Sequence, residues 1–346
     1  MTSKKNLCGL SCSEFEQILV GMGKQAFHGR LVYKWIYKQM EFDTANWSDI
    51  GKDIRAALAE QYRIELPQIL DRQKSEDGTE KFLFGLEDGQ SIEAVRIFDD
   101  ASGRMTLCVS SQVGCALGCK FCATGKMGFK RNLTVGEIVA QPMILRQLYG
   151  EEAFDNMVFM GMGEPLLNYD NVMGAVDILI DSAGLMLGAK RITISTSGLV
   201  KEIRRLADSG SKVNLALSLH AANDKLRKRL MPIANSCTLA ELMEAITYWT
   251  SVRTRRVTFE YILFKGVNDS KDDAMELAKL VRGIPCKINL LAYNPVPGLD
   301  FERPSEEDID RFAQILYPRT PAVTVRKSRG KDIDAACGQL AGRRQS

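Results

Sequence analysis

Arg104-Met-Thr-Leu-Cys108-Val-Ser-Ser-Gln-Val-Gly-Cys115-Ala-Leu-Gly-Cys119-Lys-Phe-Cys122 is the stretch around which the chain is organised. Its first part, Met105–Val109, is a short apolar run that reads as a strand. Three cysteines then follow in one tight loop, separated by three and two residues. Soft sulfur ligands suit iron–sulfur clusters, and three thiolates at this spacing can grip a cubane. Gly114 and Gly118 let the backbone fold closely around such a group. Three ligands for a four-iron cluster leave one iron open to a small molecule. The competing reading is a structural zinc site with its fourth ligand elsewhere, although such sites are usually built from paired C-x₂-C units. The chain has only two histidines, His28 and His220. Zinc binding and histidine-driven acid–base catalysis are therefore thinly provided for.

Downstream of this loop, apolar β-branched runs alternate with amphipathic segments. The runs are Met157–Met160, Arg191–Ser195, Val213–Leu219, Val257–Leu263, Ile288–Leu291 and Val323–Val325. Val135–Leu148 reads as a helix opened by a capping box, Thr134 with Glu137. The spacing predicts further helices over Asn168–Ile180, Leu199–Ser209, Leu239–Trp249 and Asp272–Val281. Such alternation requires parallel pairing with helical crossovers, hence an α/β sheet or an open or closed barrel. Chemistry in these folds collects at the C-terminal strand ends. Gly161-Met-Gly163-Glu164-Pro165, Ser195, Ser218-Leu219-His220 and Asn294 all fall there. Taken singly, each is equally well read as a turn or capping residue.

Upstream the pattern differs. Ser13–Val20, Gly29–Met40 and Asp49–Tyr62 carry apolar residues at three- and four-residue spacing, and Lys81–Leu86 and Ile92–Phe98 flank the turn Glu87-Asp-Gly89. The expected organisation is a small helical domain over 1–75, a β extension over 76–103, an α/β core over 104–326 and a tail over 327–346. With 45% apolar and 26% charged residues the composition is globular. No run of about 18 apolar residues could cross a bilayer, and no apolar stretch follows the first lysines as in a secretory signal. The expectation is a cytoplasmic protein, with no membrane partner, whose nine cysteines are reduced. The net charge of +3 identifies no partner. Basic residues do concentrate in Lys126-Lys130-Arg131, Lys225-Arg227-Lys228-Arg229, Arg253-Arg255-Arg256 and Arg326-Lys327-Arg329-Lys331. Such runs are commonly solvated faces, but they can also hold phosphates.

The C-x₃-C-x₂-C spacing, with Phe121 before its last cysteine, resembles the radical S-adenosylmethionine superfamily. That resemblance implies a partial, open β/α barrel. It implies a 4Fe-4S cluster on Cys115, Cys119 and Cys122, and S-adenosylmethionine bound by Gly163, Glu164, Ser195, Ser218, Leu219, His220 and Asn294. More narrowly, Leu107–Cys115, Met160–Asn168, Arg191–Leu199 and Asp332-Ile-Asp-Ala-Ala-Cys337-Gly-Gln-Leu340 resemble the RlmN-type RNA adenine methyltransferases, from about residue 12 to 342. Ala222 departs from the proline usual in that family.

The chemistry explains why such parts are needed. Carbon 2 of adenine lies between two ring nitrogens and is too electron-poor to attack a sulfonium methyl, whereas a radical can add to it. The resemblance implies two molecules of S-adenosylmethionine. One methylates Cys337 by displacement, to which a thiolate is suited. The other is cleaved to a 5′-deoxyadenosyl radical that takes hydrogen from the S-methyl group before addition to the base. Cys108 then helps resolve the adduct, leaving a Cys108–Cys337 disulfide, with Glu93 as general base. The implied partners are 23S rRNA at the peptidyl transferase centre and, in many members, tRNA at the adenosine following the anticodon. A one-electron donor such as reduced flavodoxin or ferredoxin is also implied, and the N-terminal domain is expected to help hold RNA. The related Cfr enzymes, which methylate carbon 8, share the scaffold. A radical enzyme acting on a small molecule or a protein, and a non-catalytic zinc module, are the alternatives of other classes.

Overall fold

The computed structural model describes residues 4–100 and 102–342, and a ten-stranded sheet runs through it. Its strands are β1 (Gln68–Lys74), β2 (Glu80–Gly85), β3 (Ser91–Asp99), β4 (Arg104–Cys108), β5 (Asn156–Phe159), β6 (Ile192–Thr196), β7 (Asn214–Ser218), β8 (Val257–Leu263), β9 (Cys286–Ala292) and β10 (Val323–Arg326). They lie side by side in chain order, with β1 and β10 at the two edges. β1 to β4 form an antiparallel meander. From β4 to β10 every pairing is parallel. The barrel is therefore partial and open.

Parallel neighbours cannot be joined by tight turns, so helices carry the chain back. Ahead of the sheet stand α1 (Cys12–Gly21), α2 (Ala26–Tyr37) and α3 (Lys52–Gln61). The crossovers from β4 to β10 use α4 (Val135–Tyr149), α5 (Tyr169–Ile180), α6 (Val200–Asp208), α7 (Asp224–Leu230) with α8 (Leu239–Arg253), α9 (Lys271–Leu280) and α10 (Glu306–Leu316). Helices covering a sheet leave its strands buried. Leu215, Ala216 and Leu217 of β7 are wholly inaccessible, as are Val257, Phe259 and Tyr261 of β8. That is why the strands read as apolar runs rather than alternations. Thr134 caps α4 as its sequence predicts: its hydroxyl accepts the Glu137 N–H at 3.2 Å while Glu137 accepts the Thr134 N–H at 2.9 Å.

Several elements depart from the sequence pattern. β1 adds a fourth strand to the meander, so the β1–β2 hairpin straddles residue 76. It is an exposed edge strand of largely polar residues and carries little apolar signal. The charge-rich α7 was hidden for a similar reason. A short antiparallel ribbon, Gln112–Gly114 with Phe129–Asn132, brackets the cysteine loop. α10 also lies outside the expected helices, although it carries a legible stripe, Ile309, Phe312, Ala313 and Leu316, all buried.

The N-terminal helices close around Phe15, whose ring meets those of Tyr33 and Tyr37 edge-on at 6.1 and 6.4 Å. α1 and α2 cross at Gly29, where a Cβ would lie 2.4 Å from the Glu16 nitrogen and 2.6 Å from its Cα. Gly29→Ala is expected to force the two helices apart. Overpacking of this kind costs about 1–3 kcal/mol, so the variant should show a lower urea midpoint with an unchanged slope.

Candidate active site

Where β4 and β5 end, the backbone leaves the ladder and its polar groups must find other partners. Buried side chains provide them. Gln141 on α4 accepts the Ser110 N–H at 2.9 Å and donates to the Ser110 carbonyl at 3.0 Å. The Ser110 hydroxyl accepts the Met162 N–H at 2.9 Å and donates to the Glu93 carbonyl at 2.6 Å. Asn168 donates to the carbonyls of Ser111 and Leu133, each at 2.8 Å. The Gln112 side chain accepts the Glu164 N–H at 2.8 Å. The cysteine loop is thereby tied to the Gly161–Pro165 turn. At Gly161 a Cβ would sit 2.7 Å from the Val109 carbonyl, and at Gly163, where φ is +100°, 2.5 Å from Gln112 Cβ. Only glycine permits this approach.

These loops frame a cavity of about 850 Å³ including its open mouth, lined by Cys115, Cys119, Cys122, Gly163, Glu164, Ser195, Ser218, His220 and Cys337. A second cavity of about 660 Å³ is lined by Cys108, Asn294, Arg326 and Cys337. Cys122, Met160, Gly161, Cys337 and Gly338 belong to both walls. Two expected site residues line neither. Leu219 is fully buried in the core, and its N–H donates to the Glu260 carbonyl at 3.0 Å. Glu93, also buried, faces the C-terminal tail.

The first cavity is a poorly solvated place for charge. Burial pushes the thiol of Cys115 up to about 11 and raises those of Cys119 and Cys122. Cys119 is raised further by both neighbouring thiols, so the three sulfurs act on one another. Among the described residues no group of three His, Cys, Asp or Glu closes around a single-ion position. The donor set itself, three thiols on one cavity wall, fits an iron–sulfur cluster, and a metal deprotonates the thiols it binds. Glu164 is likewise raised by burial, and its carboxylate accepts the N–H groups of Leu166 and Ser197 at 3.1 and 2.8 Å. His220, at φ +57°, accepts the Ile262 N–H on Nδ1 at 3.1 Å. This fixes its proton on Nε2. Burial, helped by Arg227, lowers its pKa to about 3, so the ring is neutral.

Glu260 escaped the sequence reading. It lines the first cavity and accepts from the Asn289 amide at 2.9 Å. Burial raises its carboxyl pKa, against the pull of Arg326. A glutamate inside the otherwise apolar run of β8 was the available signal.

The tail carrying Cys337 is anchored on both sides of that residue. Before it, the Gly330 N–H donates to Asp77 at 2.8 Å, and Asp332 accepts from the Ser75 hydroxyl at 2.5 Å. After it, the Gly338 carbonyl accepts the Ala123 N–H at 2.7 Å and the Leu340 carbonyl accepts the Thr124 hydroxyl at 2.7 Å. Cys337 itself is exposed, yet the surrounding protein still desolvates its thiolate and raises its pKa, ahead of the lowering by Arg326. Cys108 is buried and raised to about 12 by that burial and then by Cys337. Both cysteines are free thiols. The last four residues of the expected tail lie outside the described residues.

The basic clusters divide. Arg227 is buried, with its guanidinium donating to the Ser197 carbonyl at 2.6 Å and the Ser218 carbonyl at 3.5 Å. It braces the ends of β6 and β7 and is not part of an exposed face. Arg131 pairs with Asp88 at 2.6 Å and Glu137 at 2.8 Å. Arg253 donates to backbone carbonyls, and Arg329 pairs with Asp100. Lys130, Lys225, Lys228 and Arg229 are exposed. Among the described residues no helix is long and apolar enough to cross a membrane.

An open β/α barrel whose first parallel strand leads into a three-cysteine loop defines a radical S-adenosylmethionine enzyme. Residues 109–278 match the sequence profile of the Radical SAM superfamily, and 5–64 match that of the ribosomal RNA large subunit methyltransferase N-terminal domain. The dual-specificity RNA methyltransferase RlmN of Rhodospirillum rubrum is 48% identical over 97% of this chain and 80% of its own length. That of Pelobacter propionicus is 46% identical over 99% and 97%. A crystal structure of a radical SAM methyltransferase from Sphaerobacter thermophilus superposes with a TM-score of 0.92 at 46% identity, covering 98% of this chain and 100% of that one. The chain belongs to the RlmN family of dual-specificity RNA methyltransferases. It is a radical S-adenosylmethionine enzyme, and that membership implies S-adenosylmethionine and an iron–sulfur cluster.

The neutral His220 has a measurable consequence. Below its ordinary pKa of 6.5 the unfolded chain takes up a proton that the folded one refuses until about pH 3. The stability His220 contributes is therefore complete above 6.5 and lost as pH falls towards 3. The limiting slope is roughly 1.4 kcal/mol per pH unit. Urea unfolding between pH 7 and 5 should show a shallower loss in His220→Gln than in the parent.

Proposed function

We propose that this chain methylates carbon 2 of an adenosine in 23S rRNA, and of the adenosine following the anticodon in tRNA, with Cys337 as methyl carrier. The observation that carries the reading is the position of Cys337, on the shared wall between the three-thiol cavity and the cavity containing Cys108. A carrier must meet a methyl donor on one side and an acceptor base on the other. In this reading Cys115, Cys119 and Cys122 hold a 4Fe-4S cluster, which when bound supplies one electron for cleavage of S-adenosylmethionine. Gly163, Glu164, Ser195, Ser218 and His220 bind that molecule in the first cavity, and Asn294 reaches it from the second. Cys337 receives a methyl group from a first molecule by displacement and carries its carbon to the base. Cys108 resolves the resulting adduct as Cys337 becomes its disulfide partner, and a dithiol reductant restores both. Exposed Lys130, Lys225, Lys228 and Arg229 hold RNA phosphates without reading sequence. The target base is unstacked to reach the site. Reduced flavodoxin or ferredoxin supplies the electron.

The test is anaerobic reconstitution with iron, sulfide and methyl-deuterated S-adenosylmethionine, followed by turnover on protein-free 23S rRNA and on tRNA. Digested RNA should carry label at adenine carbon 2, and Cys337→Ala should give none. Label at carbon 8 would return the Cfr-like reaction. RNA methylation by Cys337→Ala would remove the carrier altogether.

A further inference from the structure

Glu93 sits in the middle of β3, and only 2% of it is accessible. Its Oε2 accepts two backbone N–H groups of the tail, from Ala341 at 2.7 Å and Gly342 at 3.0 Å. Two residues along the same strand, the Ser91 hydroxyl donates to the Gly342 carbonyl at 2.5 Å. Its Oε1 lies 3.6 Å from the buried Lys81 ammonium, which balances the charge. A carboxylate accepting two N–H groups beside an ammonium is among the stronger arrangements a buried strand can offer. It joins β3 to a segment that begins four residues after Cys337. The segment before Cys337 is held separately, by Asp77 on Gly330 and by Ser75 on Asp332. Between these two fixings the Gly338 and Leu340 carbonyls also accept the Ala123 N–H and the Thr124 hydroxyl, so the arc left free is short, and Cys337 is its exposed residue. The arc's facing depends on both ends, and the end after Cys337 is held from two sides. Ala123 and Thr124 grip its carbonyls while Glu93 grips its N–H groups, so that without Glu93 the segment can turn about the two carbonyl bonds.

We propose that Glu93 is a positioning residue for Cys337: by holding the Ala341 and Gly342 N–H groups it sets the register in which the thiol faces the cavity that takes the methyl donor. The inference rests on the carrier role proposed above for Cys337, and it gives Glu93 a part in the first half-reaction. In that step the sulfonium–methyl bond breaks with its electron pair leaving on the donor sulfur. The Cys337 sulfur forms the new bond to carbon, and the thiol proton passes to solvent. No base is asked of Glu93. Displacement needs the sulfur in line with the departing bond, and an error of about 1 Å in such placements costs on the order of 100-fold in rate.

Glu93→Gln keeps an oxygen that can accept both N–H groups, whereas Glu93→Ala keeps none. Ala341→Pro removes one donor and leaves the carboxylate in place. Amide hydrogen exchange of full-length protein, read on tail peptides, should show the protection of Ala341 and Gly342 retained in Glu93→Gln and lost in Glu93→Ala. Intact-protein mass spectrometry after one dose of S-adenosylmethionine should show methyl-Cys337 forming at close to the parent rate in Glu93→Gln. The rate should fall at least tenfold in Glu93→Ala and several-fold in Ala341→Pro, with iron content unchanged. Tail protection persisting in Glu93→Ala, or methyl-Cys337 forming there at the parent rate, overturns the proposal. A parent protein that never acquires a methyl on Cys337 sinks the carrier role instead, while the exchange data still decide whether Glu93 holds the tail.

Discussion

A parallel strand that ends has to dispose of its backbone, and at the ends of β4 and β5 this chain does so with buried side chains, shielded from bulk water. Gln141, Asn168, Gln112 and the Ser110 hydroxyl take up the N–H and C=O groups that no ladder satisfies. Each of these side chains is itself almost inaccessible. A buried polar group without a partner costs about 1–3 kcal/mol, so the amide network is a condition for the loops existing at all. Because one network serves both loops, the cysteine loop and the Gly161–Pro165 turn cannot shift independently. A cluster on the first and a ligand on the second would thereby be held in fixed relation, as catalysis between them requires.

The same exclusion of water decides the electrostatics. With solvent scarce, the neutral forms of acids and thiols are favoured, and Glu164, Glu260 and the three loop cysteines are all raised. His220 moves the other way for the same reason, since its charged form is the acid form. Burial thus works against the charged form of each of these groups. Charge enters with a metal, which converts thiols to thiolates as it binds. Loading of such a site is coupled to proton release.

Much of this was legible in the sequence, and what was not has physical causes. The cysteine spacing marks the loop because thiol ligands must be close in sequence to be close on one loop. The alternation of apolar runs marks the barrel because helices bury both faces of its sheet. By contrast, β1 is an exposed edge with no buried face to impose a pattern. Arg227 shows the opposite failure: it sits in a run of basic residues that reads as a solvated face, yet its α7 register turns it inward to the Ser197 carbonyl. Leu219 stands beside Ser218 in one short motif, but strand alternation sends its side chain into the core while Ser218 lines the cavity. Adjacent motif residues need not face the same way.

The two reactive-cysteine candidates are placed in opposite ways. Cys108 is fixed at the end of β4, 6% exposed, and pushed up to about 12. Such a thiol is protected from adventitious chemistry and reacts only with what is brought to it. Cys337 lies beyond the short 3-10 turn Lys331–Ile333, on a stretch of tail outside any helix or strand, exposed at the junction of both cavities. In the carrier role proposed for Cys337, a group that visits a sulfonium and then a base cannot be locked into a strand, yet a free tail would lose the placement that displacement and addition need. Anchors on either side of a single exposed residue meet both demands: the hydrogen bonds at 330–332 and 338–342 fix the ends, and the arc between them stays short enough to aim. In the function proposed above, the fixed thiol waits and the tethered one moves between partners.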